Sequence, residues 1–394
     1  MSIHTSARIQ RVQPSATLAV TALANQLKAQ GRDVIGLAAG EPDFDTPEHI
    51  KQAAIIAIQN GKTKYTAVDG TVELKQAIIN KFKRDNKFDY ALDQVLVSVG
   101  GKQAFYNLCQ TLLNEGDEVI IPAPYWVSYP DIVKLADAEP VIVYGDISQG
   151  FKITAEQLEA AITPKTRLVV INSPSNPSGK SYTRSELRAL GDVLVKYPDI
   201  LIMTDDIYEH IVWSEEGFLN ILNVCPELYD QTIVINGVSK AYSMTGWRIG
   251  YSGGPKHIIA GMKKIQSQST SNPCSIAQAA ATEALDGDQS FLSEMCAVFK
   301  ERHDYVYTTL NSMAGVECLP SDGTFYSFPS FKTIIDRMDG IEDDVQLAQM
   351  FLEKAEVALV PGTAFGAPGY IRLSYATDMQ SLEKALTRIS KAIA

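Results

Sequence analysis

The feature that most constrains the fold is a regular alternation of short apolar runs and helical patterns between residues 48 and 254. The runs are rich in valine and isoleucine, and Ile200–Met203 and Thr232–Ile235 are apolar almost throughout. Strands that are buried on both faces have this composition, and helices usually connect such strands when they are parallel. The alternation therefore predicts an α/β sheet that is covered by helices on both faces.

The elements of this region can be predicted one by one, and the character of the chain changes after Gly254. The predicted strands are Val95–Val99, Val119–Ile121, Val141–Val143, Arg167–Ile171, Ile200–Met203 and Thr232–Ile235. The predicted helices are Ile50–Gln59, Val72–Arg84, Gln103–Leu113 and Glu186–Lys196, the last with Ser185 as a plausible N-cap. Beyond them we expect helices at Ile258–Ser269, Ile276–Leu285, Gln289–Leu310, Val345–Ala355 and Met379–Ile393, with strands at Gly323–Phe328 and Tyr370–Tyr375. This change indicates a second, α+β unit, and we expect it to be a discontinuous domain made from the N-terminal segment and the C-terminal third.

Composition excludes several classes of protein. The 394 residues carry 35 Lys+Arg and 46 Asp+Glu, a net charge of −11, which argues against a nucleic-acid surface. No apolar run approaches the roughly 18 residues that a membrane-spanning helix needs, and the polar start, Met1–Arg11, lacks a hydrophobic signal region. The five cysteines are scattered without a C-x-x-C pair, which is typical of reduced thiols. We therefore expect a cytoplasmic enzyme without membrane or nucleic-acid partners and without a metal.

Two glycine-containing segments follow predicted strands, at the edge where open α/β sheets bind ligands. In Ser98-Val-Gly-Gly-Lys-Gln103, Gly101 and Lys102 stand at the start of a helix, whose free N–H groups can bind a phosphate. The segment matches neither the dinucleotide nor the P-loop fingerprint, and a tight turn is the alternative interpretation. In Asn172-Ser-Pro-Ser-Asn-Pro-Ser-Gly179, Asn176 is an amide donor on a rigid loop, or simply part of a turn.

Two further segments carry charged groups after apolar strands. Asp205 and Tyr208 are three residues apart, so both can face one ligand, although adjacent carboxylates also allow metal ligation. Lys240 follows the strand 232–235, where burial would lower its pKa and make it a Schiff-base lysine, unless it is an ordinary surface lysine. Ser239 precedes it, and Arg248 offers a planar fork for phosphate. Together the four segments supply the groups that pyridoxal phosphate requires.

At these residues the chain resembles the fold-type I, class I aminotransferases that use pyridoxal phosphate, and more narrowly the bacterial-type aspartate aminotransferases of subgroup Ib. The resemblance covers essentially the whole chain and keeps the order of the motifs. They are Arg8–Ser15, Ala39–Phe44, Gly61–Thr66, Pro124–Pro130, Asn176–Gly179, Asp205–Tyr208, Ser239-Lys240, Gly246–Gly250 and Tyr370–Ser374. It implies a mostly parallel seven-stranded sheet in a large cofactor domain (46–290) and a small α+β domain (1–45 and 291–394).

The resemblance also implies a role for each site residue. Lys240 would form the Schiff base and move the substrate proton, Asp205 would hold the ring nitrogen, and Tyr208 and Asn176 would bond the ring oxygen. The remaining cofactor-binding residues would be Trp126, stacked on the ring unless it is ordinary core, and Gly101, Lys102, Ser239, Arg248 and Tyr65 around the phosphate. Tyr65 would reach the neighbouring subunit's site, which implies a homodimer with shared active sites. Arg372 would bind the substrate α-carboxylate, with Gly40, Asn176 and Trp126 nearby.

The expected reaction is transfer of the amino group of aspartate to 2-oxoglutarate by a ping-pong cycle. Lys102 stands where subgroup Ib binds the distal carboxylate, although a further phosphate contact is the alternative. A dual aspartate/prephenate enzyme and an aromatic or alanine aminotransferase stay open, and Gln13 stands where prephenate-using relatives usually carry a basic residue. Two rivals of other classes are a nucleotide-binding dehydrogenase, which would need G-x-G-x-x-G, and a non-catalytic effector-binding module, which would usually carry a DNA-binding segment.

Overall fold

The computed structural model describes residues 4–394; Met1–Ile3, the first residues of the predicted N-terminal segment, lie outside the described range. Its strands are β1 (Ile35–Gly36), β2 (Val95–Ser98), β3 (Glu118–Ala123), β4 (Glu139–Tyr144), β5 (Thr166–Asn172), β6 (Leu201–Asp205), β7 (Thr232–Gly237), β8 (Gly250–Gly253), β9 (Tyr326–Ser327), β10 (Val357–Ala358), β11 (Val360–Pro361) and β12 (Ile371–Ser374). Its α-helices are α1 (Ala7–Gln10), α2 (Ala16–Ala29), α3 (Glu48–Gln59), α4 (Val72–Lys81), α5 (Gly101–Leu112), α6 (Ser128–Leu135), α7 (Ala155–Ala161), α8 (Arg184–Leu194), α9 (Lys256–Ser267), α10 (Ser275–Asp286), α11 (Phe291–Asn311), α12 (Lys332–Arg337), α13 (Asp344–Met350) and α14 (Met379–Ile393). Two π-helical turns, Phe82–Asn86 and Phe351–Ala355, continue α4 and α13.

A seven-stranded sheet forms the centre of the molecule, in the order β2-β8-β7-β6-β5-β3-β4. Strands β7, β6, β5, β3 and β4 are parallel, and only β8 runs antiparallel to its neighbours β2 and β7. All residues of β2 and β7 are buried, as the apolar composition of these runs predicts. The predicted α/β fold with a mostly parallel seven-stranded sheet is therefore confirmed.

Side chains alternate between two cores, one on each face of this sheet. Val169 and Ile202 belong to one core, whereas their chain neighbours Val170 and Met203 belong to the other. This alternation follows from the period of two in a strand, which sends successive side chains to opposite faces. Helices α5 and α9 pack against each other and contribute to the second core, while α4, α8 and α10 contribute to the first, so both faces are covered.

The N-terminal segment and the C-terminal third are joined by smaller sheets. Strand β1 pairs in parallel with β10, and β12 lies between β11 and β9 in an antiparallel sheet. In that sheet Tyr326 of β9 lies opposite Ser374 of β12, two residues from Arg372. The long helix α11 leads into this part of the chain.

Several local predictions were wrong in detail. Thr183, not Ser185, caps α8, because its side chain accepts from the N–H of Glu186 while the Glu186 carboxylate accepts from the Thr183 N–H. The predicted strand Gly323–Phe328 forms ladder pairs only over Tyr326–Ser327.

Within residues 4–394, no helix is long and apolar enough to cross a membrane.

Candidate active site

A cleft at the carboxyl ends of the parallel strands collects nearly all the predicted site residues. Open α/β sheets bind ligands at this edge, because the polar segments that follow neighbouring strands meet there. The predicted residues that line the cleft are Gly40, Gly101, Lys102, Trp126, Asn176, Asp205, Tyr208, Ser239, Lys240, Arg248 and Arg372. They come from positions far apart in the chain, so the fold brings them together.

Lys240 lies three residues beyond the end of β7, with its ammonium in the cleft. Its Nζ donates to the carbonyl oxygen of Gly40 at 2.5 Å. Burial lowers the pKa of Lys240 from 10.5 to about 8, and the positive charge of Arg372 acts in the same direction. About a tenth of the amine is therefore neutral, and nucleophilic, at pH 7, far more than for a lysine with its ordinary pKa.

Asp205 ends β6 and is held by its neighbours on the sheet edge. The Tyr129 hydroxyl donates to Oδ2 at 2.5 Å, and the Ile207 N–H donates to Oδ1 at 3.3 Å. Asn172, opposite Asp205 on β5, donates to the Asp205 carbonyl oxygen at 3.0 Å. Burial raises the pKa of Asp205, although Tyr129 and Lys240 oppose the shift. A carboxylate held in this way favours a cationic partner inside the cleft.

An anion cradle lies where α5 begins. Gly100 has a φ of 83°, which favours glycine, and a Cβ there would lie 2.3 Å from Nη2 of Arg248. Arg248 donates from Nη1 to the carbonyl oxygen of Thr245 at 2.9 Å. The backbone N–H groups of the first turn of α5 and the guanidinium therefore converge at one corner, which Gly101 and Ser239 also line.

Lys102 and Trp126 form one wall of the cleft. The Lys102 Nζ lies 5.1 Å from the centre of the Trp126 ring, as in a cation–π contact. Burial lowers the pKa of Lys102, and the charge of Arg248 lowers it further. Lys102 thus supplies a second cation beside the anion cradle, and its ammonium group lies over the Trp126 ring.

Arg372 is fully buried at the opposite side, with its planar group held in place. Nη1 donates to Oδ1 of Asn176 at 3.0 Å and Nη2 to the carbonyl oxygen of Ala38 at 2.6 Å. The guanidinium carbon lies 4.5 Å from the Tyr326 ring centre and 5.0 Å from that of Phe365. Nε has no hydrogen-bond partner, and among the described residues the groups that favour its positive charge are the phenols Tyr326 and Tyr208, with no paired carboxylate. A buried guanidinium without a counter-ion is prepared for an anionic ligand.

Tyr208 and Tyr65 occupy contrasting positions. Tyr208 is buried and its hydroxyl lies 3.0 Å from that of Tyr326. Tyr65 is 92% exposed and does not line the cleft of its own chain. Residues 4–394 hold no group of three or more His, Cys, Asp or Glu side chains that could hold a metal ion.

Sequence reasoning missed several residues of the site. Tyr129, which bonds Asp205, lies inside the quoted motif Pro124–Pro130, and its spacing of three from Trp126 was an available signal. Tyr326 lies in a predicted strand but carried no local signal for the cleft. Ser15, the N-cap of α2, and Thr17 and Thr21, four residues apart on that helix, also line it.

Comparison with known proteins identifies the class that this fold and cleft define. A family model described as "Aminotransferase class I and II" matches residues 32–389. The chain therefore belongs to the class I and II aminotransferases. An "Aspartate/prephenate aminotransferase" of Nitrosomonas europaea is 58% identical over 393 residues, covering 98% of this chain and 99% of the relative.

Solved structures agree with this assignment. A crystal structure of the aspartate aminotransferase from Rhizobium meliloti is similar at a TM-score of 0.96, with 47% identity, and the match covers 100% of this chain and 99% of that one. An aspartate aminotransferase from Thermus thermophilus with maleate is similar at a TM-score of 0.93 and 42% identity, covering 99% and 100%. The predicted family and the predicted class of enzyme are both confirmed.

Proposed function

We propose that this aminotransferase uses pyridoxal phosphate to transfer the amino group of aspartate to 2-oxoglutarate, giving oxaloacetate and glutamate. The observation that carries the proposal is the meeting of three groups in one cleft. These are an amine whose pKa is lowered, a partly buried carboxylate and a buried guanidinium without a counter-ion, contributed by Lys240, Asp205 and Arg372. The names of the relatives support aspartate as a substrate.

The donor set of the cleft fits pyridoxal phosphate group by group. The first turn of α5 at Gly101, with Ser239 and Arg248, would bind the phosphate. Asp205 would pair with the ring nitrogen, because its carboxylate already favours a cation. Tyr208 and Asn176 would bond the ring oxygen. Trp126, which also lines the cleft, would cover one face of the ring.

The chemistry then divides between the group and the chain. When bound, pyridoxal phosphate supplies a ring that withdraws electrons from the substrate α-carbon. Asp205 would keep the ring nitrogen protonated, and Lys240 Nζ would take the proton from the substrate α-carbon and deliver it to the C4′ carbon of the cofactor. The lowered pKa of Lys240 supports this task, since a general base works best when its pKa lies near the operating pH.

Two cations support recognition of a dicarboxylic substrate. The unpaired Nε of Arg372, together with its planar neighbours, would bind the α-carboxylate, and Asn176 and Gly40 stand beside it. Lys102, over Trp126, would bind the distal carboxylate. Because Lys102 and the anion cradle are adjacent, a shared contact with the cofactor phosphate is compatible with this role.

A dual aspartate/prephenate activity is the second candidate, and a specific observation favours it. The relatives from Nitrosomonas europaea, at 58% identity, and from Cereibacter sphaeroides, at 54%, are both named aspartate/prephenate aminotransferases. Gln13, however, stands at the position where the family resemblance implies a basic residue in enzymes that use prephenate. The relatives' names and this position therefore point in opposite directions.

We also propose the assembly and organisation that the sequence predicts. The large domain would span 46–290, and the small domain 1–45 and 291–394; the pairing of β1 with β10 supports a unit built from both ends of the chain. The exposure of Tyr65 supports a homodimer in which this residue reaches the partner's phosphate. The free cysteines, none of them in a disulfide within the described residues, support a cytoplasmic location.

One donor panel tests these substrate assignments. Purified protein is loaded with pyridoxal phosphate and supplied with 2-oxoglutarate and, in turn, aspartate, alanine, phenylalanine and tyrosine; prephenate is then offered as acceptor with aspartate or glutamate as donor. We expect aspartate to give the highest kcat/KM. A higher value for alanine or an aromatic donor would contradict the aspartate assignment, and turnover of prephenate would establish the dual activity.

A further inference from the structure

Tyr326 is the one aromatic side chain of β9, and neither the sequence motifs nor the proposed chemistry gives it a role. It is fully buried with respect to solvent but faces the cleft beside Tyr208 and Arg372. It belongs to the C-terminal part of the chain, whereas Tyr208 follows β6 of the central sheet. Its side chain therefore bridges the two parts of the fold at the site.

The hydroxyl group of Tyr326 has two close neighbours in the cleft. It lies 3.0 Å from the hydroxyl of Tyr208. A Cβ on Gly40 would lie 2.7 Å from the same oxygen, so the backbone that accepts from Lys240 passes directly beside it. In the described residues the Tyr208 hydroxyl has no other hydrogen-bond partner, so Tyr326 alone orients it.

The ring of Tyr326 makes a separate contact. The guanidinium carbon of Arg372 lies 4.5 Å from the centre of this ring and 5.0 Å from the centre of the Phe365 ring. Burial raises the pKa of Tyr326, and the positive charge of Arg372 opposes that shift. The hydroxyl of Tyr326 thus contacts Tyr208, whereas its ring contacts Arg372.

We propose that Tyr326 is a positioning residue with two separable parts: its hydroxyl donates to Tyr208 Oη, and its ring supports the guanidinium of Arg372. The inference rests on the proposed function, in which Tyr208 donates to the cofactor's ring oxygen. Tyr208 has a single proton, and an anionic ring oxygen is a stronger acceptor than a phenol, so Tyr326 must then be the donor of the pair. A hydroxyl that receives this bond is the better donor to the ring oxygen.

The hydroxyl part is tested with Tyr326→Phe by a pH titration of the visible absorption band of protein loaded with pyridoxal phosphate. When the ring oxygen receives a weaker hydrogen bond from Tyr208, it carries more negative charge. It therefore holds more tightly the proton that it shares with the nitrogen of Lys240. The apparent pKa of the band should therefore rise by about half a pH unit. The matched control is Tyr375→Phe, which removes another buried hydroxyl, one bonded to the Thr324 carbonyl oxygen outside the cleft. The control should titrate like the unmodified protein.

A double-mutant cycle with Tyr208→Phe separates positioning from general damage to the structure. If Tyr326 acts through Tyr208, Tyr326→Phe should add no further change once the Tyr208 hydroxyl is absent. An unchanged titration in Tyr326→Phe would overturn the inference, and so would a shift of the same size in the Tyr208→Phe background.

The ring part is tested by the binding of succinate, an unreactive dicarboxylate. Tyr326→Phe keeps the ring, so the dissociation constant of succinate should change less than about twofold, whereas Tyr326→Leu should weaken binding by about five- to thirtyfold. Equal affinities in the two variants would refute the ring's role. Absence of a visible band in the unmodified protein would instead contradict the proposed function, so the two failures are distinguishable.

Discussion

Replacing Lys240 with methionine should change the stability of the cofactor-free protein in a pH-dependent way. Burial lowers the pKa of Lys240 from 10.5 to about 8 in the folded protein, and unfolding returns the amine to water. Below pH 8 both forms are protonated, and the folded protein bears the full penalty of the desolvated charge. Between pH 8 and 10.5 the folded form has lost its proton while the unfolded chain keeps it, so the free energy of unfolding rises with pH.

The size of this effect follows from the same two pKa values. At 1.36 kcal/mol per pH unit, the part of the rise that falls between pH 7 and pH 9.5 comes to about 2 kcal/mol. Methionine has a similar length and no charge, so Lys240→Met lacks this contribution. Loss of the bond from Nζ to Gly40 lowers the variant's stability at both pH values and cancels in the difference.

Urea unfolding of the cofactor-free proteins at pH 7 and pH 9.5 measures this difference directly. Relative to Lys240→Met, the unmodified protein should gain about 2 kcal/mol on going to the higher pH. Lys62→Met, at an exposed position, controls for the loss of a lysine as such. If the unmodified protein and Lys240→Met change in parallel with pH, the lysine is not desolvated and the reasoning fails.

Three further substitutions test individual roles. Arg372→Lys keeps the charge but loses the planar fork, so KM should rise about ten- to a hundredfold for every amino acid that the protein accepts, as steady-state kinetics would show; a rise confined to dicarboxylic substrates would contradict the α-carboxylate role. Lys102→Ala should lower kcat/KM for aspartate at least about tenfold more than for phenylalanine, and equal losses would refute the distal-carboxylate role. Asp205→Asn should lower kcat by about a hundredfold or more while absorbance still reports bound pyridoxal phosphate, and retention of full turnover would show that the ring nitrogen needs no carboxylate.

The strands of the central sheet could be predicted where burial on both faces left an apolar run, as in β6 and β7. Strand β8 could not, because its sequence, Gly-Tyr-Ser-Gly, carries no such run. Its glycines are set by tertiary contacts: a Cβ on Gly250 would lie 2.4 Å from the Gly101 nitrogen, and one on Gly253 would lie 2.7 Å from the Tyr90 ring. Glycine is required at these positions because distant segments of the chain approach closely there. A local sequence pattern contains no information about such contacts.

Helices at the edge of the fold were missed for a different reason. In α2 only Ala24 is buried, whereas Leu18 and Leu23 are exposed, so its apolar residues do not mark a single buried face of the helix. Helix α6 carries Pro130 in its first turn, where proline is tolerated because the N–H would have no partner inside the helix. Both helices contribute to the cleft or to the support of Asp205, so the gaps in the prediction fell near the site.

The residues that line the cleft could be predicted when a polar segment directly followed a strand, as at Asp205 and Lys240. Tyr326 could not, because its role depends on the pairing of β9 with β12 and on the distance between two hydroxyl groups. Neither quantity is encoded in the residues next to it. Motif order thus predicts which chemistry the cleft performs, whereas the side chains that orient the reacting groups require the three-dimensional structure.

The most direct test of the central claim is a single-turnover measurement on protein loaded with pyridoxal phosphate and mixed with aspartate alone. The visible band should disappear as about one oxaloacetate is released per subunit, since Lys240 completes the first half of the cycle without an acceptor. Lys240→Ala should show neither the band of the unmodified protein nor the release of oxaloacetate. Full oxaloacetate release by Lys240→Ala, or none by the unmodified protein, would contradict the account.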